Sequence, residues 1–536
     1  MHRSLTASIA AVATGALLAT AAPALAAPEA PAPATAGGQP AAHQYASQTL
    51  DWRPCTTDDL PGTPSDVADQ LECATYQAPR DWNEPHSGDD ITIAVSRLPA
   101  RSTDAERSVL TNPGGPGAPG RSFPARFTER HELRAEYEVI GFDPRGTGMS
   151  ANITCGSATS KLDPLDPRDR NPTNIERILN TTQQAVRACQ RHSGELGPLI
   201  NTFQTVHDID LLRGLLDRER ISWIGYSAGT WLGAHYAEMF TQHADRFVLD
   251  SAVEFTANWQ ESFAWQPRGF ERRWRQDFLP WLAEHSDVYE FGHTGEDARQ
   301  TYERLRSRLA EEPVELEGHE VGPAELDEVI VRGMYDKRAF PGLAEFLAVV
   351  RELVEEETST GEVEITIDVL AHARATEPSP GPRPLVVGDR YEDAATASFW
   401  TIPCNETRWQ GDRTSVRHDS ARIGNQYPLL GWGWLSQPCI FWQGEPVELP
   451  TPTGQGVPPV LIVQSTHDPA TPIEGAMRAH RSFAGSAMLT VVDEGDHGLY
   501  AGGNTCVDQH VEDYLVHNQP PRDSVCQGTP LPDPSG

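Results

Sequence analysis

The chain has 536 residues and a formal charge of −33, from 43 basic and 76 acidic residues, so it is longer than one simple domain and strongly acidic. Such a surface repels phosphate backbones and anionic lipid headgroups, which excludes nucleic-acid binding and membrane association as main functions. We expect either two domains or one large domain that carries an insertion, and a protein that works as a monomer.

The N-terminal segment has the composition of an export signal. It contains Arg3, an apolar run too short to cross a bilayer comfortably, and a small-residue triplet that ends at Ala26. We predict a signal peptide over residues 1–26, cleaved after Ala26, and a secreted protein. Residues 27–50 are rich in proline and alanine and are predicted to form a flexible linker or a propeptide. A membrane anchor is the alternative, but no basic stop-transfer cluster follows.

The chain contains eight cysteines, an even number that fits an oxidising compartment. Because short loops close at the lowest entropic cost, we expect neighbouring cysteines to pair. The expected pairs are Cys55–Cys73, Cys155–Cys189, Cys404–Cys439 and Cys506–Cys526. Metal binding is the alternative, but neither a C-x-x-C nor an H-x-x-x-H spacing occurs near any of them. We therefore expect no metal site and no organic cofactor.

The first half of the chain alternates β-rich runs with amphipathic helical patterns. Each β-rich run ends in turn-forming residues, and the runs lie at 91–98, 108–112, 137–143, 221–227 and 246–252. Strands that alternate with helices indicate a parallel α/β sheet, so residues 51–254 are predicted to form the first part of an α/β core. Ligands bind at the carboxyl ends of such strands, which is where the Gly-rich turns lie.

A different pattern covers residues 255–400. Amphipathic helical patterns follow one another there with no strand between them. The β pattern returns at 458–468 and 487–498, so residues 401–536 are predicted to complete the core. A helical block inserted after the fifth strand recognised in the sequence is expected to form a cap, or lid, over the carboxyl ends of the strands.

The fourth β-rich run leads into a G-x-S-x-G motif centred on Ser227. A serine hydroxyl becomes an effective nucleophile only with a base that takes its proton and with donors for the oxyanion. In α/β hydrolases the nucleophile is followed along the chain by an acid and then by a histidine, both after later strands. Asp468 and His497 occupy those two positions. We predict Ser227 as the nucleophile, His497 as the general base, and Asp468 as the acid that orients the imidazole.

Other residues compete for these roles. His467 lies beside Asp468, but it precedes the acid in the chain. Three further acids lie so close to His497 in sequence that turn formation is the simpler explanation for them, and one ends the fifth β-rich run. These competing acids are Asp493, Glu494, Asp496 and Asp250.

The turn "NPGGPG", residues 112–117, follows the strand after which α/β hydrolases place the second half of the oxyanion hole. Glycines allow a backbone N–H group to approach a substrate oxygen without interference from a Cβ atom. We assign the oxyanion hole to the N–H groups of Gly115 and Ala228, with Gly114 as the alternative to Gly115.

Several motifs together resemble one family. They are "NPGGPG", "GFDPRGTGMS", "GYSAGTWLGAHYAEMF", "VLDSAV", "TIPCNE", "PVLIVQSTHDPATPIEGA" and "DEGDHG". From about residue 51 to residue 526 the chain is similar to the secreted tripeptidyl aminopeptidases, which are α/β-hydrolase serine exopeptidases related to proline iminopeptidase. The resemblance implies release of short peptides, commonly tripeptides, from free N-termini, with the helical insertion excluding longer chains. It also places the triad on Ser227, Asp468 and His497. Pro113 stands where proline iminopeptidases have histidine, which favours the tripeptidyl branch.

An aminopeptidase must pair the substrate ammonium with a carboxylate, because an unpaired buried charge is costly. Glu406, in "IPCNE" where the family pattern leads us to expect aspartate, is the candidate anchor. Its alternative interpretation is a surface acid beside Cys404. The expected partners are peptides with free N-termini. The alternative functions are an esterase or amidase of small molecules on the same fold, a proline iminopeptidase-like aminopeptidase, and a non-catalytic binding protein.

Overall fold

The structure is a computed structural model that describes residues 44–102, 105–316, 318–355 and 391–534. The predicted signal peptide and most of the predicted linker lie outside the described residues. Of the two predictions for residues 27–50, a flexible linker or a propeptide, the flexible linker does not hold at the C-terminal end of the range. Tyr45 and Leu50 are buried, and the Tyr45 hydroxyl donates a hydrogen bond of 2.6 Å to Asp90. Apolar and hydrogen-bonding contacts therefore tie the chain to the core from about residue 45 onward.

The strands in the described ranges form one large sheet and one small hairpin. In chain order they are β1 Arg53–Pro54, β2 Glu72–Pro79, β3 Asp90–Leu98, β4 Arg107–Asn112, β5 Tyr137–Phe142, β6 Ile221–Tyr226, β7 Ala244–Asp250, β8 Val314–Leu316, β9 His319–Val321, β10 Val460–Ser465, β11 Ser486–Val492 and β12 Ser524–Gln527. The large sheet has the order β1-β2-β3-β5-β4-β6-β7-β10-β11-β12, and β8 pairs with β9. From β5 to β12 the neighbouring strands of this sheet are parallel, whereas β1, β2 and β3 are antiparallel to their neighbours.

This sheet confirms the predicted α/β class with a mostly parallel sheet. All seven β-rich runs recognised in the sequence contain a strand. The sequence pattern does not predict β1, β2 and β12. β1 and β12 are too short to show a period of two, and β2, "ECATYQAP", is held by eight residue pairs with β3. Pairing with a distant strand, rather than local propensity, makes β2 a strand.

The sheet is buried on both faces. Along the central strands, alternate residues belong to two different apolar clusters: Trp223 and Phe247 to one, Ile224 and Val248 to the other. Helices of the core pack against these faces, and their bounds are Ser65–Ala68, His131–Glu136, Pro172–His192, Thr202–Leu215, Ala228–Met239, Ile473–Ser482 and Thr505–Leu515. The carboxyl ends of the parallel strands stay open to the inserted segment.

The inserted segment begins after β7 and has an apolar core of its own, which includes Phe270, Trp274, Phe278, Leu326 and Leu347. Its helices are Trp259–Phe263, Gln266–Arg273, Leu279–Glu284, Ser286–Tyr289, Gly295–Glu311, Pro323–Gly333 and Phe340–Glu355, and a π-helical turn covers Trp274–Phe278. We call residues 259–355 the cap. Contrary to expectation it contains the hairpin of β8 and β9, whose three-residue strands are too short to give a sequence signal.

The expected boundary at residue 400 is also wrong. It lies inside the helix Ala394–Glu406, and another helix, Arg413–Gln426, follows before the sheet resumes at β10. These two helices share the apolar cluster of the core, because Ala397, Ile402 and Ile423 belong to the same cluster as Trp223. The first of them also contacts the start of the cap, where Trp259 Nε1 donates to Glu406.

All eight cysteines form disulfides, and the four pairs are those expected from loop length. Cys404–Cys439 ties the helix Ala394–Glu406 to the turn at 438–441, and Cys506–Cys526 ties the last helix to β12. Among the helices of the described ranges, none combines the length and hydrophobicity that a membrane span needs.

Candidate active site

Ser227 stands at the corner between β6 and the helix Ala228–Met239. Its backbone has φ +55° and ψ −128°, a region that residues other than glycine rarely adopt. The Ser227 N–H donates a 3.0 Å hydrogen bond to the carbonyl oxygen of Asp250 at the end of β7. This strained strand–turn–helix corner is the context that the G-x-S-x-G motif requires to present its serine at the edge of the sheet.

The two glycines of the motif permit the close approach of strand and helix. A Cβ atom at Gly225 would lie 2.3 Å from the carbonyl oxygen of Gly229, and a Cβ atom at Gly229 would lie 2.6 Å from that of Asn112. Both distances are far below van der Waals contact, so side chains at these positions would push the helix away from the sheet.

Asp468 and His497 meet at the carboxyl ends of β10 and β11. His497 Nδ1 lies 2.9 Å and 3.0 Å from the two carboxylate oxygens of Asp468, whose side chain is fully buried. The Asp468 Oδ1 atom also accepts hydrogen bonds from the N–H groups of Ala470 and Thr471. The fixed acceptor assigns the proton to Nδ1, which makes Nε2 the basic ring nitrogen.

The competing residues have other partners. His467 pairs with Asp277 of the cap at 2.8 Å, and Asp493 accepts from Gln527. Asp496 and Glu494 pair with the buried cap residues Arg273 and Lys337, respectively. Each of these side chains therefore forms a contact away from the Asp468–His497 pair.

Asp250, the remaining competitor, holds the histidine loop. Its carboxylate accepts hydrogen bonds from the N–H groups of Leu499 and Tyr500, while its carbonyl oxygen holds the N–H of Ser227. Burial raises the pKa of Asp250 to about 6. Asp250 thus connects the corner at Ser227 with the loop that contains His497, although Ser227 and His497 are 270 positions apart in sequence.

The cap packs directly on this loop. The His497 N–H donates a 2.8 Å hydrogen bond to the carbonyl oxygen of Tyr335, and the Tyr335 ring meets the imidazole edge to face at 5.3 Å between centroids. Sequence reasoning missed this contact, because no local pattern links a cap residue to a histidine after β11.

The Gly-rich turn after β4 lies against Ser227. A Cβ atom at Gly114 would lie 2.6 Å from the carbonyl oxygen of Tyr226 and 2.8 Å from Ser227 Cβ, and the Gly114 N–H donates to Asn112 Oδ1 at 2.9 Å. Gly115 lines the same cavity as Ser227 and Ala228. Since the Gly114 N–H already has an acceptor, the geometry favours Gly115 as the donor in the turn.

Replacing Gly114 by alanine is expected to lower kcat by about 10²- to 10³-fold, because the new methyl group must displace the donor turn from Ser227. The matched control is Gly214→Ala, since a Cβ atom at Gly214 meets no atom within 4 Å. Steady-state kinetics of the two variants, beside their thermal unfolding, checks this. Equal activity of both variants would contradict the position assigned to the turn.

The cavity at Ser227 is walled by residues that follow β7, including the aromatic rings of Trp259 and Trp265. Among the described residues that line it, Glu254 is the one with an ionisable side chain. The Glu254 carboxylate, 4% exposed, accepts hydrogen bonds from Trp265 Nε1 at 2.7 Å and from Arg478 Nε at 2.6 Å. Sequence reasoning missed Glu254, although it lies just beyond the carboxyl end of β7, where ligands bind in such sheets.

Glu406, the predicted ammonium anchor, lies behind Trp259. Its carboxylate accepts hydrogen bonds from Trp259 Nε1 at 2.8 Å and from the Thr202 N–H at 2.5 Å. Burial raises the pKa of Glu406 to about 7. It is absent from the described residues that line the cavity at Ser227, whereas the Trp259 ring that it holds is part of that lining.

Two family models match the chain. One, described as "alpha/beta hydrolase fold", covers residues 108–303, and the other, described as "TAP-like protein", covers residues 427–526. With the parallel sheet and the corner at Ser227, these matches define the class: the chain is a serine hydrolase with the α/β-hydrolase fold.

Relatives of known name identify the family. The tripeptidyl aminopeptidases of Streptomyces lividans and Streptomyces coelicolor are each 31% identical to the chain, over 92% of the chain and 90% of the relative. The serine protease Hip1 of Mycobacterium tuberculosis is 26% identical, over 90% of the chain and 92% of the relative. The chain belongs to the tripeptidyl aminopeptidase family.

Proposed function

We propose that the protein releases tripeptides from the free N-terminus of peptides through an acyl-enzyme formed on Ser227. The similarity to the two Streptomyces enzymes along almost the whole chain supports the activity. The observation that carries the assignment of residues is the buried Asp468, which fixes His497 Nδ1 on a loop held to the corner of Ser227 by Asp250.

The chemistry follows from these positions. The Ser227 Oγ atom attacks the scissile carbonyl while His497 Nε2 takes its proton, and Asp468 stabilises the imidazolium that forms. The N–H groups of Gly115 and Ala228 donate to the oxyanion. His497 then gives the proton to the leaving amine, and a water molecule activated by the same imidazole hydrolyses the acyl-enzyme.

The test compares a chromogenic tripeptide amide that has a free N-terminus with its N-acetylated twin. An aminopeptidase cleaves the free form and rejects the twin, because the acetyl group removes the charge that a carboxylate must pair. An esterase or amidase of small acyl groups would cleave both forms at similar rates, and that result would replace the proposed function.

We propose Glu406 as the carboxylate that pairs the substrate ammonium, with Glu254 as the residue to compare. The Glu406 carboxylate accepts hydrogen bonds from Trp259 Nε1 and the Thr202 N–H, and the side chains of Thr202 and Trp231 also favour its charged form. Glu406→Gln is expected to raise KM for the free peptide by at least about tenfold, because a buried ammonium would lose its partner. If Glu254→Gln raises KM and Glu406→Gln does not, the anchor is Glu254.

A dependence on pH follows for the wild type. Because burial raises the pKa of Glu406 to about 7, its carboxyl group gains charge as the pH rises through 7. The substrate α-amino group, whose ordinary pKa is about 8, is still mostly protonated at about pH 7.5. KM for the free peptide is therefore expected to fall between pH 6 and pH 7.5 in the wild type and to stay level over this interval in Glu406→Gln. The same fall in both proteins would contradict the role of Glu406.

We also propose that the protein is secreted. Four disulfides support this, because such bonds form and persist in oxidising compartments. N-terminal sequencing of the protein from culture medium is the test. A mature chain that begins at Ala27 is expected.

A further inference from the structure

A second cavity lies beside the cavity at Ser227 and is lined mostly by apolar side chains. Its volume is about 280 Å³, and Phe263 and Gln266 line both cavities, so the two are adjacent. Its further wall carries aromatic rings and aliphatic carbon, from Phe399, Trp400, Trp409, Leu430 and Trp434. We call it the aromatic cavity. On a chain with a formal charge of −33, its described lining contains no ionisable side chain.

The position of the aromatic cavity relative to the scissile bond follows from the catalytic groups. Gly115 and Ala228, the proposed oxyanion donors, line the cavity at Ser227, which is the cavity adjacent to the aromatic cavity. Among the described residues of both linings His497 does not occur, although the leaving amine must reach His497 to receive its proton. The two cavities therefore lie on the acyl side of the bond.

The polar side chains of the lining are uncharged and come from Gln266, Ser436 and Gln437. The space is sufficient for an aromatic side chain, since an apolar cavity of about 150 Å³ already binds benzene.

We infer that the aromatic cavity binds an apolar side chain of the acyl peptide, at one of the two residues that precede the residue at the cleaved bond. Burial of that side chain against aromatic rings adds affinity, whereas a charged side chain would lose its hydration without gaining a partner. The inference rests on the proposed function and names the substrates that this site prefers.

The test uses tripeptide p-nitroanilides with a free N-terminus and alanine at the cleaved bond. Phenylalanine, leucine, lysine or glutamate is placed first at the N-terminal and then at the middle position. In the wild type, kcat/KM is expected to be at least tenfold higher for phenylalanine and leucine than for lysine and glutamate at one of the two positions. Equal values at both positions would overturn the inference.

A charge placed in the wall sharpens the test. Phe399 is 40% exposed, so Phe399→Asp is expected to fold. This variant should lower kcat/KM for the phenylalanine substrate at least fivefold. It should also make kcat/KM for the lysine substrate higher than that for the glutamate substrate. Met477→Asp, at a residue 43% exposed outside both linings, is the matched control and should keep the wild-type order. If the order of kcat/KM among the substrates were unchanged in Phe399→Asp, the assignment of the aromatic cavity would be overturned, whereas the proposed function would stand. If the wild type cleaved none of the substrates, the proposed function would fall, and the inference with it.

Discussion

Replacing Ser227 by alanine is expected to lower kcat for tripeptide release by about 10⁴-fold or more, with little change in substrate affinity. The reason is that the oxyanion donors and the peptide-binding cavity remain, whereas the acyl-enzyme can no longer form. Release of p-nitroaniline under saturating substrate measures the loss in kcat. Binding of the uncleaved tripeptide amide to the variant measures the affinity.

Ser262→Ala is the matched control, because Ser262 is another serine that lines the same cavity. Its kcat is expected to stay within severalfold of the wild type. A Ser227→Ala variant that kept more than a few per cent of the wild-type activity would show that another residue is the nucleophile.

The strained backbone at Ser227 allows a second test of this residue, by measuring stability. Because Ser227 has φ +55°, Ser227→Gly should be as inactive as the alanine variant but more stable, by about 1 kcal/mol in the free energy of unfolding. Urea unfolding of the two variants in parallel separates loss of the hydroxyl from release of backbone strain.

Asp468→Asn is expected to lower kcat by about 10⁴-fold. The N–H groups of Ala470 and Thr471 donate to Asp468 Oδ1, so the amide oxygen of an asparagine must stay there and its NH₂ group must face His497. The NH₂ group donates to Nδ1, which forces the ring proton onto Nε2. His497 would then have no lone pair with which to take the proton of Ser227.

The control for this variant is Asp277→Asn, because Asp277 and His467 form a second Asp–His pair at 2.8 Å. This variant is expected to change stability and to leave kcat within about tenfold of the wild type, since His467 touches the cap and not Ser227. Losses of kcat of similar size in both variants would contradict the assignment of His497, rather than His467, as the general base. Thermal unfolding of both variants separates an effect on folding from an effect on the tautomer.

The helical insertion illustrates what the sequence could and could not predict about the fold. Its long helices, Gly295–Glu311, Pro323–Gly333 and Phe340–Glu355, were predictable, because each has an apolar stripe at helical spacing. Its end was not, because the helix Ala394–Glu406 follows the same local pattern whether it packs on the cap or on the core. The choice depends on tertiary contacts such as that of Ile402 with the core cluster.

The sequence by itself determined the parallel sheet, the corner at Ser227, the order of Ser227, Asp468 and His497, and the four cysteine pairs. The sheet, the corner and the cysteine pairs rest on short-range rules: a period of two in strands, glycine where a Cβ atom would clash, and closure of short loops. The order of the three catalytic residues rests on the chain order that α/β hydrolases share. Only the tertiary structure decided where each carboxylate lies. Asp250 holds the histidine loop, Glu254 lines the cavity and Glu406 lies behind Trp259, because burial and hydrogen bonds between distant segments of the chain fix these positions.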